Sequence, residues 1–292
     1  MKNIQLFNEN NLEVMKRLPD ESIDVVCIDP PYLYLKNQKL ERPFDELNFF
    51  SECKRLLTKN GFIVMFGRGT SFYRWNTILE NLKFTFKEEI IWDKNYNSSA
   101  VHPLSRVHET ISIFSKGNGV LNKIKVPYLE SKKDDLNKIV GDIKRLRCVL
   151  SKSSELENVQ SYLENKIIPI VGGEKEATTT LQKGVNKNSV TASVMQMIEI
   201  GMNEKSVIRT EHERYSRIHP TQKPVRLIER LLALVIPKDK PREKTVVADF
   251  FGGSMSCMEA VHNMRMQGIA TEIDKEYFED GKERIEKLKA TS

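Results

Sequence analysis

The stretch Ile23-Asp24-Val25-Val26-Cys27-Ile28, followed at once by Asp29-Pro30-Pro31-Tyr32, joins an apolar run to a stiff corner. A β-branched run of this kind suits a strand buried on both faces of a parallel sheet. The two prolines fix φ twice and remove two N–H donors, so the chain turns rigidly where the strand ends. Open α/β sheets bind ligands beyond the carboxyl ends of their strands. The corner would therefore aim a carboxylate (Asp29), a free carbonyl (Pro30) and an aromatic face (Tyr32) at one small volume. Those features suit an aromatic amine. Its lone pair is delocalised into the ring, and accepting both N–H hydrogens at Asp29 and Pro30 would localise it. Tyr32 would stack on the base, worth about 1–3 kcal/mol. The alternative for the same four residues is a rigid turn after a buried strand.

Outward from this junction, strands and helices alternate. Upstream lie a strand over 4–7 and a helix capped by Asn10 or Asn11, with Leu12, Met15 and Leu18 on one face and Pro19 as its stop. Downstream come a helix over 45–57, a turn at Asn60-Gly61, a strand over 62–66, a helix over 75–82 and strands over 89–92 and 110–114. From about 118 to 217 the rhythm changes. Leu136, Ile139, Val140, Ile143, Leu146 and Leu150 form a helical stripe, and Ser154 with Glu157 forms a capping box for a second helix. Gly172-Gly173 and Thr178-Thr179-Thr180 read as loop. Alternation resumes at His219, with a helix over 226–234, a strand over 245–248, a helix from about 254 and a strand over 268–272. The predicted fold is α/β, a doubly wound, mostly parallel Rossmann-like sheet over 1–117 and 218–292, carrying a mainly helical insertion over 118–217.

The second constellation is Val246-Val247-Ala248-Asp249-Phe250-Phe251-Gly252-Gly253-Ser254, an apolar strand running into paired glycines and a helix. Glycine lets backbone approach a ligand where a Cβ would clash, and a helix N-terminus favours a carboxylate. Glu272 lies 23 positions past Asp249, close to the spacing of about 20 at which an acid meets ribose hydroxyls. A nicotinamide or flavin would also fit a glycine loop, although the strict dinucleotide fingerprint is absent; Glu272 also reads as an exposed strand-end acid. The third constellation, His219-Pro220-Thr221-Gln222-Lys223-Pro224, leads into a helix with Leu227, Ile228, Leu231 and Leu232 on one side. Its chemistry alone names no function.

Hydrophobic residues make up 39% and charged residues 29%, a balance that excludes a disordered chain. No apolar run approaches the roughly 18–20 residues of a membrane span, and Met1-Lys2-Asn3-Ile4 lacks the apolar core of a secretory signal. The four cysteines (Cys27, Cys53, Cys148, Cys257) show no metal-binding spacing and read as reduced, buried thiols of a cytoplasmic protein. No metal is expected. A net charge of +6 permits a polyanionic partner without demanding one.

Together, Asp29-Pro30-Pro31-Tyr32, His219-Pro220-Thr221-Gln222-Lys223-Pro224 and Asp249-Phe250-Phe251-Gly252-Gly253-Ser254 resemble the amino-methyltransferase family of DNA modification enzymes. The motif order, catalytic first and cofactor late, resembles its permuted β group. Leu18-Pro19-Asp20-Glu21-Ser22-Ile23-Asp24, Ile91-Trp92-Asp93-Lys94, His108-Glu109 and Phe114-Ser115-Lys116-Gly117 are similar to further family segments. The resemblance implies S-adenosyl-L-methionine as cofactor and the exocyclic amine of adenine as acceptor, since an aspartate rather than a serine leads the tetrapeptide. The base would be flipped from the duplex or met in a single strand. It assigns catalysis to Asp29, Pro30, Pro31 and Tyr32. It assigns cofactor binding to Thr221, Lys223, Asp249, Phe250, Phe251, Gly253, Ser254 and Glu272, with Asn10 near the cofactor adenine.

The insertion stands where this group carries its target-recognition region. It holds 17 Lys+Arg against 13 Asp+Glu. Lys144, Arg145 and Arg147 are candidates for tracking a phosphate backbone, and Arg106, His108 and Arg214 for lying closer to DNA. A solvated helical face explains the first three equally well. DNA, double- or single-stranded, is the expected partner, and no membrane is; a homodimer and a cognate restriction endonuclease are suggested by the family alone. The expected location is the cytoplasm, at the nucleoid of a prokaryotic or phage-infected cell. Three departures stand out: Met255 replaces a second loop glycine, Phe250 a common proline, and Asn10 a usual aspartate. Met255 is expected to be harmless if it opens the helix with negative φ. Cytosine-N4 or RNA methylation, a catalytically weak DNA-binding relative and a nicotinamide oxidoreductase are the competing functions.

Overall fold

β2 (Ile23–Ile28) is buried at every position, as its run of five apolar residues around Asp24 requires. It lies inside an eight-stranded sheet with β1 (Ile4–Phe7), β3 (Leu57–Gly67), β4 (Thr85–Asp93), β5 (His108–Ser115), β8 (Val207–Arg209), β9 (Val246–Asp249) and β10 (Gln267–Thr271). The strand order is β1-β10-β9-β2-β3-β5-β4-β8. Every pairing is parallel except the two made by β5. β2 pairs with β9 through Val25↔Val247 and Val26↔Ala248. The chain builds the sheet outward in opposite directions from this pair, so the carboxyl ends of β2 and β9 flank a topological switch point.

The computed structural model describes residues 4–33, 42–94, 104, 106–149, 194, 196–210 and 222–291. They fall into two units, Met1–Asn122 with Ser206–Ser292, and Lys123–Lys205. The first unit holds the sheet. Its core packs β2 and β3 against α2 (Glu46–Leu56) and α3 (Gly69–Asn81), through Phe49, Phe50, Cys53, Leu56, Phe72, Trp75 and Leu79. Asp45 starts α2 by accepting the Asn48 N–H at 3.1 Å, and Asn10 starts α1 (Asn11–Arg17) by accepting the Leu12 N–H at 3.0 Å. At the amino end of β2, buried Asp24 accepts the Val246 N–H at 2.8 Å and the Lys240 ammonium at 2.6 Å. This clamp ties β2 to the start of β9.

The expected turn at Asn60-Gly61 is absent. Both residues lie within β3, whose register against β2 shifts between Ile23 and Val25. An irregularity in the pairing accommodates them, so a glycine signal for a turn here marks a bulge-like break. β8 was also assigned to the insertion by its position, yet it forms the edge of the main sheet beside β4.

In the second unit, β6 (Lys125–Val126) and β7 (Met202–Asn203) form an antiparallel ribbon, with α4 (Tyr128–Lys132) and α5 (Leu136–Val149) between them in the chain. Tyr128, Leu146, Val194 and Ile198 make its core, and the Tyr128 hydroxyl donates to Asp142 at 2.6 Å. The apolar stripe of α5 divides: Leu146 turns inward, whereas Leu136, Val140 and Ile143 are exposed. The helix expected from Ser154, Leu150 and the loops at 172–173 and 178–180 lie outside the described residues. No described helix is long and apolar enough to cross a membrane, and no group of three or more potential metal ligands occurs among the described residues. Cys27, Cys53 and Cys257 are buried, free thiols.

Candidate active site

Asp29 and Tyr32 follow β2 directly, and the corner they form is closed on itself. The Tyr32 hydroxyl donates to Asp29 Oδ1 at 2.6 Å. Ser71 Oγ, at the start of α3, holds the Tyr32 carbonyl at 2.8 Å, and the Tyr32 ring packs against Trp75 with centroids 6.2 Å apart. Leu33 follows with φ of 61°. Pro30 is buried, and no hydrogen bond to its carbonyl occurs among the described residues. The other oxygen of Asp29 accepts from Lys223, which sits two residues before α6 (Val225–Val235).

Lys223 is nearly dry, its side chain 8% exposed, and it lies between two carboxylates: Asp29 and, at 3.2 Å, Glu109 on β5. Lys94 completes the group at 3.0 Å from Glu109. Two acids and two ammonium groups thus share one pocket, and each partner compensates burial that would otherwise be prohibitive. Burial alone would push Glu109 up, but Lys223 and Lys94 outweigh it and hold the carboxyl at about 2. Burial likewise opposes the charge on Lys223, and Asp29 with Glu109 overcomes it, holding the ammonium above its ordinary range. For Asp29 burial prevails: its carboxyl is raised despite Lys223.

Beside this corner, the loop after β9 is built from backbone. Asp249 is buried and accepts the Phe251 N–H at 3.0 Å. Burial raises its carboxyl to about 7, and no ion pair to it occurs among the described residues. Gly253 adopts φ of 48°, a left-handed conformation that costs a residue without Cβ nothing. Its N–H donates to Glu272 Oε2 at 2.8 Å, joining the loop to the end of β10. Glu272 Oε1 accepts the Asp274 N–H at 2.8 Å. A carboxylate has about four lone-pair sites, so both oxygens can still receive hydroxyls. Uncompensated Asp249, open-capacity Glu272 and the glycine turn fit a nucleoside ligand that carries a cationic end.

A family model described as DNA methylase, of the N6/N4 methyltransferase type, matches residues 23–283. The chain belongs to the N6/N4 DNA methylase family. The match spans both the Asp29 corner and the glycine loop. The Type II methyltransferase M.HinfI of Haemophilus influenzae is 25% identical over 276 residues, covering 82% of this chain and 75% of its own. The crystal structure of the M1.HpyAVI–SAM complex is similar with a TM-score of 0.54 at 18% identity, over 96% of this chain and 99% of its own. The cytosine-N4-specific PvuII DNA methyltransferase gives a TM-score of 0.58 at 14% identity, over 97% and 86%. At such identities these two structures speak for the fold, a largely parallel α/β sheet.

Within this methylase the Asp29 corner, the glycine loop and Lys223 of the third motif meet at one switch point, but not every assigned residue faces it. Phe250 is 1% exposed and packs against Phe49 in the core, so its side chain is structural; only its carbonyl, held by Thr271 Oγ1 at 2.9 Å, belongs to the loop. Phe251 is partly buried and packs on Phe44 and Phe49. Ser254 is buried with its hydroxyl on Ser256 at 2.9 Å. Asn10 is exposed and caps α1. Lys223, assigned to the cofactor, touches Asp29 and Glu109. Met255 has φ of 57°, so the condition of a negative φ under which it would be harmless is not met. His108 is exposed at the start of β5, where its carbonyl accepts from Arg68 at 3.2 Å, and Arg106 is half-buried just before it. Thr221, Arg214 and the side chains of Lys144, Arg145 and Arg147 lie outside the described residues. Glu109 and Lys94 were singled out only as family-like segments. Nothing in the local sequence pairs either of them with a lysine 114 positions past Glu109.

Proposed function

We propose that this DNA methyltransferase uses S-adenosylmethionine to methylate the N6 amine of adenine. The observation that carries the reading is the Val26↔Ala248 pairing, which sets the carboxylate and open carbonyl of Asp29-Pro30 beside the glycine turn after β9. Bound in that turn, S-adenosylmethionine supplies an electrophilic methyl group. Asp29 and the Pro30 carbonyl accept the two hydrogens of the amine and aim its lone pair, while Tyr32 offers a face to the base. Methylation leaves the nitrogen with one hydrogen too many. Asp29, whose carboxyl burial raises, is placed to take that proton. The rest of the rate enhancement comes from orientation in a dry pocket. Aspartate at the head of the tetrapeptide supports adenine over cytosine by family resemblance, and the unit Lys123–Lys205 is proposed to read the DNA target.

Sequencing the methylome of cells that express the protein, with mass analysis of the modified bases, tests this. N6-methyladenine at a recurrent sequence is expected. N4-methylcytosine alone would move the acceptor and leave the reaction class intact.

A second expectation concerns pH. Because burial raises Asp249 to about 7, the folded protein keeps a proton that the unfolded chain releases from about pH 4 upward. Ionised Asp249 therefore lowers stability as pH climbs through that window, and a cationic group placed beside it recovers the loss. Calorimetric affinity for S-adenosylmethionine should consequently weaken as pH drops below about 7, by up to about tenfold per pH unit. Asp249→Asn should bind more weakly and lose this slope. A slope surviving in the variant would detach Asp249 from the cofactor.

A further inference from the structure

Both oxygens of the Asp29 carboxylate are engaged within the protein, one by the Tyr32 hydroxyl and one by the Lys223 ammonium. An amine that gives one hydrogen to this carboxylate and the other to the Pro30 carbonyl must crowd in beside the Tyr32 hydroxyl or the Lys223 ammonium, and it gains the full strength of the acceptor only when one of them moves off. Lys223 is too deeply buried to be left without a counter-charge. Displacing it from Asp29 is therefore feasible only if a second acceptor stands ready.

One atom meets that need for both groups. Glu109 Oε2 lies 3.2 Å from Lys223 Nζ and 3.5 Å from the Tyr32 hydroxyl. Glu109 is itself immobilised: β5 is paired on both sides, with Glu109 opposite Trp92, and its other oxygen takes Lys94 at 3.0 Å. Lys94 and Lys223 hold its carboxyl at about 2, so it is an anion throughout the working pH range. We infer that Glu109 is a positioning residue that receives the Lys223 ammonium and the Tyr32 hydroxyl when the acceptor amine displaces them from Asp29. It touches neither cofactor nor base; it acts by freeing the carboxylate that does. The inference rests on the amine-acceptor reading of Asp29.

Glu109→Gln keeps the shape and removes the charge. With a duplex bearing the sequence read from the methylome, its kcat should fall about 30-fold or more, while KM for S-adenosylmethionine moves less than about threefold. Glu109→Asp should recover part of the rate. If Glu109 works chiefly through Lys223, Glu109→Gln placed on a Lys223→Gln background should cost less than about threefold. A kcat for Glu109→Gln within threefold of the parent, or an equal loss with and without Lys223, overturns the inference. Should Lys223→Gln alone abolish turnover, carbon-13 titration of the Asp29 carboxyl decides. It should shift to lower pH in Glu109→Gln, where the Glu109 charge no longer opposes ionisation of Asp29 or draws the ammonium away from it, and an unmoved titration is equally fatal. Asp29→Ala separates the two claims. Persistent methylation there removes the underlying reading, whereas its loss beside an unimpaired Glu109→Gln removes this inference alone.

Discussion

Asp29→Ala should methylate DNA about a thousandfold or more slowly than the parent at saturating cofactor, with its fold intact. The size follows from what the carboxylate does. An exocyclic amine conjugated with its ring is barely nucleophilic, and only an acceptor for its hydrogens, fixed before the base arrives, restores the lone pair to nitrogen. Alanine leaves the Pro30 carbonyl as sole acceptor and leaves the departing proton without its nearest base. Stability should change little, because Lys223 keeps Glu109 at 3.2 Å as a counter-charge and Tyr32 keeps its carbonyl bond to Ser71. Asp29→Asn is the finer probe. It retains an acceptor oxygen without the charge, and its amide donor group would oppose either the Lys223 ammonium or the incoming amine, so a loss of about a hundredfold is expected. Transfer of a labelled methyl group to DNA measures both, and calorimetry with S-adenosylmethionine should show affinities within about threefold of the parent, since the loop after β9 is untouched. A rate above a tenth of the parent's in Asp29→Ala would leave the corner as no more than a rigid turn.

Much of this site was legible before any coordinates, for identifiable reasons. The strand runs of β2 and β9 are apolar apart from Asp24 and Asp249 because both faces are covered, and such runs are readable from composition alone. Their adjacency could not be read from local sequence, since 218 positions separate Asp29 from Val247; the ordered motifs supplied it only through a family likeness. Local signals failed where tertiary packing overrode them. Asn60-Gly61 has turn chemistry, yet the register of β2 draws it into β3. Phe250 stands in a ligand-binding motif, yet the aromatic cluster around Phe49 claims its side chain. Glu109 and Lys94 went unassigned because their meaning lies in Lys223, a partner reached only by folding. The exposed residues of α5 show the converse limit: a periodic stripe predicts a helix, but not what covers its face.

The C-terminal helix explains how Met255 sits where a glycine would be easier, and it yields the second large effect. Met255 is completely buried with φ of 57°, a conformation that costs a side-chain-bearing residue about 1–2 kcal/mol. Its N–H closes a turn on the Gly252 carbonyl at 2.7 Å, and its side chain packs into the space left by Gly252 and Gly281. A Cβ on Gly252 would come within 2.8 Å of Met255 Sδ, and one on Gly281, within α7 (Lys275–Thr291), would come within 2.5 Å of Met255 Cγ. The same helix holds the loop through Arg284, which reaches the Ser254 carbonyl at 3.2 Å and Glu259 at 2.5 Å. Gly281→Ala should therefore be destabilising by about 2 kcal/mol, although alanine is the better helix former by about 1 kcal/mol. Met255 Cγ stands close to its own backbone and can yield only by shifting the loop, so affinity for S-adenosylmethionine should fall by about tenfold or more. Met255→Gly relieves the left-handed strain but empties a packed site, and should cost about 2 kcal/mol net. Combining the two removes the clash and refills part of the void. Thermal melts should place the double variant above Gly281→Ala, with cofactor affinity recovered in parallel. Strictly additive losses would mean that the methionine and the helix glycine do not form one lock, and that some other contact holds the loop in its left-handed turn.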